Sequence, residues 1–380
     1  MTDVFINRIS VFLPNNSVLN EDMETYLGLI NGKSSKSRRI VLRNNGIENR
    51  YYALDKQGNV THSNADLVAS AIRKMFEYNP DEIKDIDLLV CGTSTPDQLL
   101  PSHAVMVHGL LAETSNIEVV SHAGACCAGM HSLKYAYLSI KSREKHKAVC
   151  SGSERVSPIM KSTYFEEEIS KLNSLESEPF LAFEKDFLRW MLSDGAGAFL
   201  VENHKNTNSL SLKIEWIELS SFANKLPACM YMGADKAQDG SLRSYHTMKL
   251  QEILCNSVLS IKQDVKLLSE NIVELGFNML KSLLDTKHVN IESIDYFLPH
   301  ISSFFFQEKI YNIMKDNHIG IPYEKWFTNL KTIGNVGSGS IYLMLDELFN
   351  SGKLQRGEKL LLVVPESARF SYAFCLLTVC

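Results

Sequence analysis

The sequence predicts a layered α/β protein whose chain of 380 residues is built from two similar halves. Short apolar runs, typical of strands covered on both faces, alternate with segments whose apolar residues recur every three to four positions, as in helices that cover a sheet. Landmarks of the first half return in the same order in the second half. A chain of this length also exceeds the usual size of one compact domain.

The repeat is carried by matched landmarks at one offset. An Ile-Asp pair opens a strand at Ile86 and again at Ile294, which lie 208 residues apart. A loop of small residues opens a helix at Cys127 and again at Asn335, and these are also 208 residues apart. Ordered landmarks at a fixed spacing predict an internal duplication.

The third landmark is a strand that ends in glutamate after each of these helices, at Glu154 and at Glu366. We therefore divide the chain into an N-terminal half, 1–205, and a C-terminal half, 206–380. An acidic segment interrupted by prolines, about 155–190, breaks the pattern of the first half. We interpret it as an insertion that could cap a site.

Periodicity and turn residues place the elements along each half. The predicted strands are 4–13, one beginning at 119, 86–91, 147–150, one ending at 201, and 293–298. The predicted helices are 20–29, 64–79, 102–111, 131–140, most of 250–285, and 341–350. Residues 34–45 are expected to form a polar connection, and 204–247 show no clear pattern.

Composition excludes several classes of function. The 39 basic and 44 acidic residues give a net charge of −5, which argues against a nucleic-acid partner. No apolar stretch approaches the roughly 20 residues needed to cross a bilayer, and the N-terminus does not resemble a signal peptide. The eight cysteines form no C-x-x-C pair, so neither a zinc site nor a disulfide framework is expected. These features predict a cytoplasmic protein without a metal or other cofactor.

Cys126 and Cys127 lie where an apolar strand passes through small residues into a helix. Unpaired backbone N–H groups at a helix start carry partial positive charge and favour a thiolate over a thiol. Small neighbours allow a substrate to approach the backbone. The alternative is a buried structural cysteine, the more usual role of a free thiol.

Two further residues would complete a reactive set if equivalent loops of the two halves converge. His300 ends a predicted strand, and Asn335 occupies the position in the second half that matches Cys127. A thiol, an imidazole and a carboxamide suit acyl transfer, because the thiolate attacks a carbonyl while the other two move a proton or stabilise charge. Taken singly, the histidine and the asparagine could each have a structural role.

Several motifs together resemble the ketosynthase III-like condensing enzymes of the thiolase superfamily. They occur in the order of that family over almost the whole chain, at 46–50, 100–102, 125–130, 193–198, 298–300 and 334–340. The resemblance implies a duplicated five-layer α-β-α-β-α fold, a homodimer and a Cys–His–Asn triad. It also implies thioester substrates, carried by an acyl carrier protein or coenzyme A.

The family motif has its nucleophile immediately before Ala-Gly, which selects Cys127 and leaves Cys126 to point into the core. The resemblance implies that Cys127 takes an acyl group from one thioester. His300 and Asn335 then assist attack by the α-carbon of a second thioester, and a carbon–carbon bond forms. The catalytic residues expected from the resemblance are therefore Cys127, His300 and Asn335.

Departures from the family pattern indicate a specialised member. The segment 365–370 lacks the glycines of the loop that faces the nucleophile in the family, and Arg39 replaces an aromatic residue that often stacks on coenzyme A. A basic entrance favours an acyl carrier protein as donor, although Arg39 could equally be an ordinary surface charge. The expected substrate-binding residues are Arg39, Arg43, Leu100, Arg369 and Phe370. Leu100 matches a position that reaches toward the acyl tunnel of the partner subunit.

Divergent relatives of this kind join two β-ketoacyl thioesters to make dialkylresorcinols, and we adopt that product class as a hypothesis. Two other functions stay open at this point. One is a cysteine hydrolase, because papain-like enzymes also order Cys, His and Asn along the chain. The other is a non-catalytic subunit that shapes the site of another ketosynthase.

Overall fold

The computed structural model describes residues 2–30, 32–35, 38–165 and 188–380. Its strands are β1 (Phe5–Phe12), β2 (Val18–Leu19), β3 (Asn49–Arg50), β4 (Leu88–Thr93), β5 (Glu118–Ala123), β6 (Lys147–Glu154), β7 (Gly195–Glu202), β8 (Leu212–Ser221), β9 (Met230–Tyr231), β10 (Ala234–Lys236), β11 (Leu242–Ser244), β12 (Lys262–Gln263), β13 (Tyr296–Pro299), β14 (Lys359–Glu366) and β15 (Ser371–Val379). Its α-helices are α1 (Met23–Leu27), α2 (Arg38–Asn45), α3 (Asn64–Met75), α4 (His103–Leu110), α5 (Ala128–Lys141), α6 (Leu250–Cys255), α7 (Val265–Thr286), α8 (Phe305–Asp316), α9 (Leu330–Ile333) and α10 (Ser340–Phe349).

The same strand topology occurs in both halves of the chain. A nine-stranded sheet runs in the order β13-β14-β15-β8-β1-β7-β6-β4-β5. In the first half β4 pairs parallel with β6, and antiparallel pairs then join β6 to β7 and β7 to β1. In the second half β13, β14, β15 and β8 repeat this arrangement. The strands ending in Glu154 and Glu366 therefore hold equivalent places, while the boundary at residue 205 stays a prediction.

Three apolar clusters show the layers. Helices α3 and α4 pack on the outer face of the first half, and α7 and α8 pack on the outer face of the second. Between the halves lie α5 and α10, whose buried side chains contact strands of both. The predicted layered α-β-α-β-α architecture is confirmed, with the two helix starts that carry Cys127 and Asn335 in the central layer.

Strand β5 differs from its predicted buried position. It pairs only with β4 within the described chain, and its residues are either exposed or only partly buried. The apolar run Val119-Val120 fits a buried strand equally well, but the topology leaves β5 at the sheet edge. A long unpaired edge is a surface on which another strand can pair.

Residues expected to connect elements form helix α2 instead. Val41 and Asn45 are buried on its inner face, and Arg38 forms an ion pair with Glu24 at 2.6 Å. Most residues of α2 are polar, so the sequence alone does not distinguish this helix from a loop. Burial of one narrow face against the first half is sufficient to hold a short helix.

The predicted insertion, about 155–190, is only partly within the described residues, and 166–187 lie outside them. Its flanks are well packed: Leu188, Arg189 and Trp190 are buried. The Arg189 guanidinium donates to the carbonyl oxygens of Met160 and Leu27 at 3.0 and 3.1 Å. Both ends of the segment are thus fixed in the core. No helix among the described residues is long and apolar enough to span a membrane.

Candidate active site

The turn from β5 into α5 carries the two cysteines, and close packing holds it against the second half. Cys127 is the N-cap residue of α5, which begins at Ala128. A Cβ atom added at Gly129 would lie 2.4 Å from the carbonyl oxygen of Ser338, in the loop that also carries Asn335. Only glycine allows this approach, which explains the small residues of the turn.

Cys127 is almost completely buried. Its thiol donates to the carbonyl oxygen of Val364 at 3.3 Å, and its backbone N–H donates to Oε2 of Glu366 at 2.9 Å. Burial raises the pKa of Cys127 well above its ordinary value, and the nearby Glu366 carboxylate and Cys126 raise it further. The resting site therefore holds this residue as a neutral thiol.

Cys126 lines the cavity that His300 and Asn335 also line. It also packs against the central apolar cluster, so Cys126 lies between the core and the cavity instead of pointing into the core alone. Successive side chains at a helix start point in different directions, and here the Cys127 thiol is the one directed toward β14. Burial raises the pKa of Cys126 as well, with smaller contributions from Glu366 and Glu154.

His300 follows β13 directly and is held by the neighbouring strand. Its backbone N–H donates to the carbonyl oxygen of Val363 at 2.7 Å, one residue before the carbonyl that binds the Cys127 thiol. Burial lowers the pKa of His300 to about 4. At neutral pH the imidazole is uncharged, so it can accept or donate a proton.

Asn335 is fixed at both its backbone and its side chain. Its N–H donates to the carbonyl oxygen of Met191, and its carbonyl accepts from the N–H of Ser193. The side-chain Oδ1 accepts from the backbone N–H of Gly337 at 2.9 Å. Since that oxygen is engaged, the NH₂ group is the end of the carboxamide that can donate to a ligand in the cavity.

The sequence relationships agree with this arrangement. A family model described as the C-terminal part of 3-oxoacyl-[acyl-carrier-protein (ACP)] synthase III matches residues 284–377. A β-ketoacyl-[acyl-carrier-protein] synthase III of Clostridium perfringens is 26% identical over 358 residues, which cover 93% of this chain and 92% of that protein. These similarities support a ketosynthase III-like condensing enzyme of the thiolase superfamily, and hence an acyltransferase in preference to a papain-like hydrolase.

Solved structures show the same fold. The tetronic acid condensing enzyme AbyA1 superimposes with a TM-score of 0.76 at 18% identity, covering 99% of both chains. A cysteine-to-serine variant of Xanthomonas campestris OleA, with bound lauric acid and lauroyl-CoA, gives a TM-score of 0.73 at 17% identity and the same coverage. The synthase III of Thermus thermophilus gives 0.69 at 18% identity, covering 98% of both chains.

The cavity continues as an apolar channel that the sequence did not predict. One face of α7 and one face of α8 line it with Leu268, Ile272, Gly276, Leu280, Phe306, Ile310 and Met314. The four residues of α7 recur at every fourth position, which is the pattern of an ordinary core helix. Nothing in the periodicity distinguishes a helix facing a channel from one facing a filled core.

Two glutamates near the cysteine turn were recognised only as landmarks of the repeat. Glu154 accepts from the hydroxyls of Ser94 and Thr95 at 2.7 Å and from the backbone N–H of Ser338 at 3.3 Å. Glu366 accepts from the backbone of the cysteine turn. Each carboxylate thus reaches the helix-opening loop of the opposite half, as the internal duplication requires.

The five residues expected to bind substrate do not line the described cavity. Arg39 and Arg43 are exposed on α2, and Leu100 is 86% exposed beside Pro101. Each can contact a partner or a carrier only from the surface. The remaining two flank the turn after β14.

Arg369 is exposed, and its Nε–H donates to the carbonyl oxygen of Leu226 at 2.9 Å. Phe370 is fully buried in the core of the second half, at a φ of 58°. Its side chain packs in that core, and its left-handed backbone lies where the chain reverses between β14 and β15. Position 370 therefore shapes the turn and does not contact the channel. No group of three side chains suited to a metal ion occurs among the described residues.

Proposed function

We propose that this enzyme joins two acyl thioesters through a new carbon–carbon bond, with an acyl group held on Cys127 as the intermediate. The observation that carries the proposal is one cavity in which the cysteine turn, His300 and Asn335 meet at the head of an apolar channel. An apolar channel suits an acyl chain, and the three polar groups suit the chemistry of its carbonyl carbon.

In the first step the Cys127 thiol leaves the Val364 carbonyl by rotation about its Cα–Cβ bond and gives its proton to the neutral imidazole of His300. The sulfur then attacks the thioester carbonyl, and the carrier thiol departs with that proton. The backbone N–H of Cys127, at the positive end of α5, stabilises the oxyanion. A buried thiol with a raised pKa reacts only once its proton has a defined acceptor.

In the second step the α-carbon of another thioester attacks the acyl carbon on Cys127. The enolate that forms carries its charge on an oxygen within reach of donors in the cavity. The NH₂ group of Asn335 and the ring of His300 supply them. The bond to sulfur breaks, and the longer ketone product leaves.

The channel sets the class of acyl group. Leu268 and Leu280 are 12 residues apart on α7, so the lined face extends over about 18 Å at 1.5 Å per residue. Carbon–carbon bonds of about 1.5 Å advance an extended chain by roughly 1.3 Å per carbon, which gives room for about 14 carbons. We propose medium to long β-ketoacyl thioesters as both substrates and a dialkylresorcinol-type product.

Surface features support the expected partners. The exposed arginines of α2, Arg39 and Arg43, suit an acidic acyl carrier protein. The unpaired edge of β5 and the exposed leucines Leu99 and Leu100 suit a homodimer in which the two edges pair.

The test is product formation from pairs of thioesters on acyl carrier protein, followed by mass spectrometry of the organic extract. The proposal expects a condensed product from two β-ketoacyl thioesters and none with Cys127→Ala. Wild-type protein that is never acylated by any donor would instead identify a non-catalytic subunit.

A further inference from the structure

Glu366 occupies the position in which a thioester oxyanion has to bind. Its Oε2 accepts from the backbone N–H of Cys127 at 2.9 Å and from that of Ala125 at 3.2 Å. These are the unpaired donors at the start of α5. In the resting structure the carboxylate of Glu366 thus fills the site that a thioester oxyanion would use. Glu366 ends β14, and the equivalent strand of the first half, β6, ends in Glu154.

The two glutamates differ in how firmly they are held. Glu154 receives hydrogen bonds from three hydroxyls, those of Thr93, Ser94 and Thr95, as well as from backbone N–H groups. Glu366 receives its two described hydrogen bonds only from the cysteine turn, and among the described residues no cationic side chain pairs with it. Glu154 is therefore held firmly in place. Glu366 can be released by another oxygen atom that competes for the same backbone N–H groups.

Acylation supplies that competing oxygen. When the acyl carbonyl on Cys127 takes the N–H of the same residue, the Glu366 carboxylate loses its strongest partner. Glu366 does not itself line the cavity, but Ala125, whose N–H it accepts, does, so the released carboxylate lies at the edge of the substrate space. Burial already raises the pKa of Glu366, and the two backbone N–H groups lower it. Their loss makes the carboxylate more basic at the moment when the second substrate arrives.

We propose that Glu366 is the catalytic base that removes the α-proton from the second, β-ketoacyl thioester. The inference rests on the proposed function, since it assigns a group to its condensing step. A methylene between a ketone and a thioester is acidic enough for a buried carboxylate, whereas the α-carbon of a simple acyl thioester is much less acidic. The identity of the base and the β-ketoacyl class of substrate therefore support each other.

The step balances without another reactant. The C–H electron pair becomes the enolate, and the proton goes to a carboxylate oxygen of Glu366. The enolate carbon attacks the acyl carbon, and the electrons of the C–S bond leave with the Cys127 sulfur. That thiolate takes the proton from Glu366, which returns the carboxylate to the two N–H groups of the resting state.

Single-turnover rapid quench separates the two half-reactions in wild type, Glu366→Gln and Glu366→Asp. The first mixing, with one β-ketoacyl carrier-protein thioester in limiting amount, measures acyl-enzyme formation by intact mass. The second mixing adds the partner thioester and measures product. We expect Glu366→Gln to form the acyl-enzyme at least as fast as wild type and to condense about 100-fold or more slowly, the usual contribution of a general base. The Glu366→Asp variant retains a carboxylate and should recover part of the rate.

The matched control is Glu202→Gln, which changes another buried glutamate at the far end of β7, bound to Asn7 at 2.7 Å. It should leave both half-reactions unchanged. The inference is overturned if Glu366→Gln condenses at the wild-type rate, or if it loses acylation as severely as condensation. Failure of the proposed function has a different signature, because wild type would then form no acyl-enzyme at all.

Discussion

The channel along α7 makes a quantitative prediction about chain length. Replacing Leu280 with phenylalanine adds three side-chain carbons at the far end of the lined face, where they displace about two methylene groups of a bound acyl chain. At about 0.8 kcal/mol for each buried methylene, long substrates should lose about 1.6 kcal/mol, or about 15-fold in kcat/KM. Short chains do not reach Leu280 and should be unaffected.

The assay is acyl-enzyme formation over a series of saturated thioesters of increasing length. The control is Leu284→Phe, one helical turn further along α7, which is buried in the same core but does not line the cavity. It overpacks the core and should lower stability without shifting chain-length preference. An equal loss for short and long chains in Leu280→Phe, or no loss for either, would refute the assignment of this channel to the acyl chain.

Three further predictions concern stability and thiol reactivity. Burial lowers the pKa of His300 to about 4 from 6.5, so the unfolded chain binds the proton more tightly and stability falls as pH drops through this interval. Urea denaturation should show that His300→Gln removes about 1.6 kcal/mol of the loss between pH 6.5 and 5. At Gly152 an added Cβ would lie 2.2 Å from the backbone carbonyl oxygen of Ser338. Gly152→Ala should therefore lower the free energy of unfolding by about 2 kcal/mol or more. Gly109 in α4 has open space around it, so Gly109→Ala should instead raise the free energy of unfolding by up to about 1 kcal/mol. Equal changes for the two variants in urea denaturation would contradict the packing argument. Because the Glu366 carboxylate raises the pKa of Cys127, Glu366→Gln should make this thiol react faster with iodoacetamide at pH 7. Peptide mass spectrometry measures the rate. Unchanged reactivity would show that the carboxylate does not control the thiol.

The layered fold was predictable because its causes are local. Strand and helix periods, small residues where loops pass close together, and landmarks at one offset are all visible in the chain. The small residues of the cysteine turn are explained directly, since a side chain at Gly129 would collide with the loop carrying Asn335. The edge position of β5 was not predictable, because the order of strands in a sheet depends on topology and not on the composition of one strand.

The candidate site was predictable in its residue types but not in its contacts. The motifs bring His300 and Asn335 to the cavity, yet neighbouring Cys126 and Cys127 differ in direction only through the geometry of a helix start. In the sequence Glu366 is only a glutamate at the end of a predicted strand. The structure is needed to show that it binds the backbone of the cysteine turn. The α7 channel was missed because a helix uses the same four-residue spacing toward a core and toward a ligand.

Locating the acyl group on one of the two cysteines tests the central claim most directly. The protein is incubated with a β-ketoacyl carrier-protein thioester, digested and analysed by tandem mass spectrometry, alongside Cys126→Ala and Cys127→Ala. We predict an adduct on Cys127 that persists in Cys126→Ala and is absent from Cys127→Ala. An adduct on Cys126 that survives Cys127→Ala would contradict the account and make the cysteine that lines the cavity in the resting structure the nucleophile.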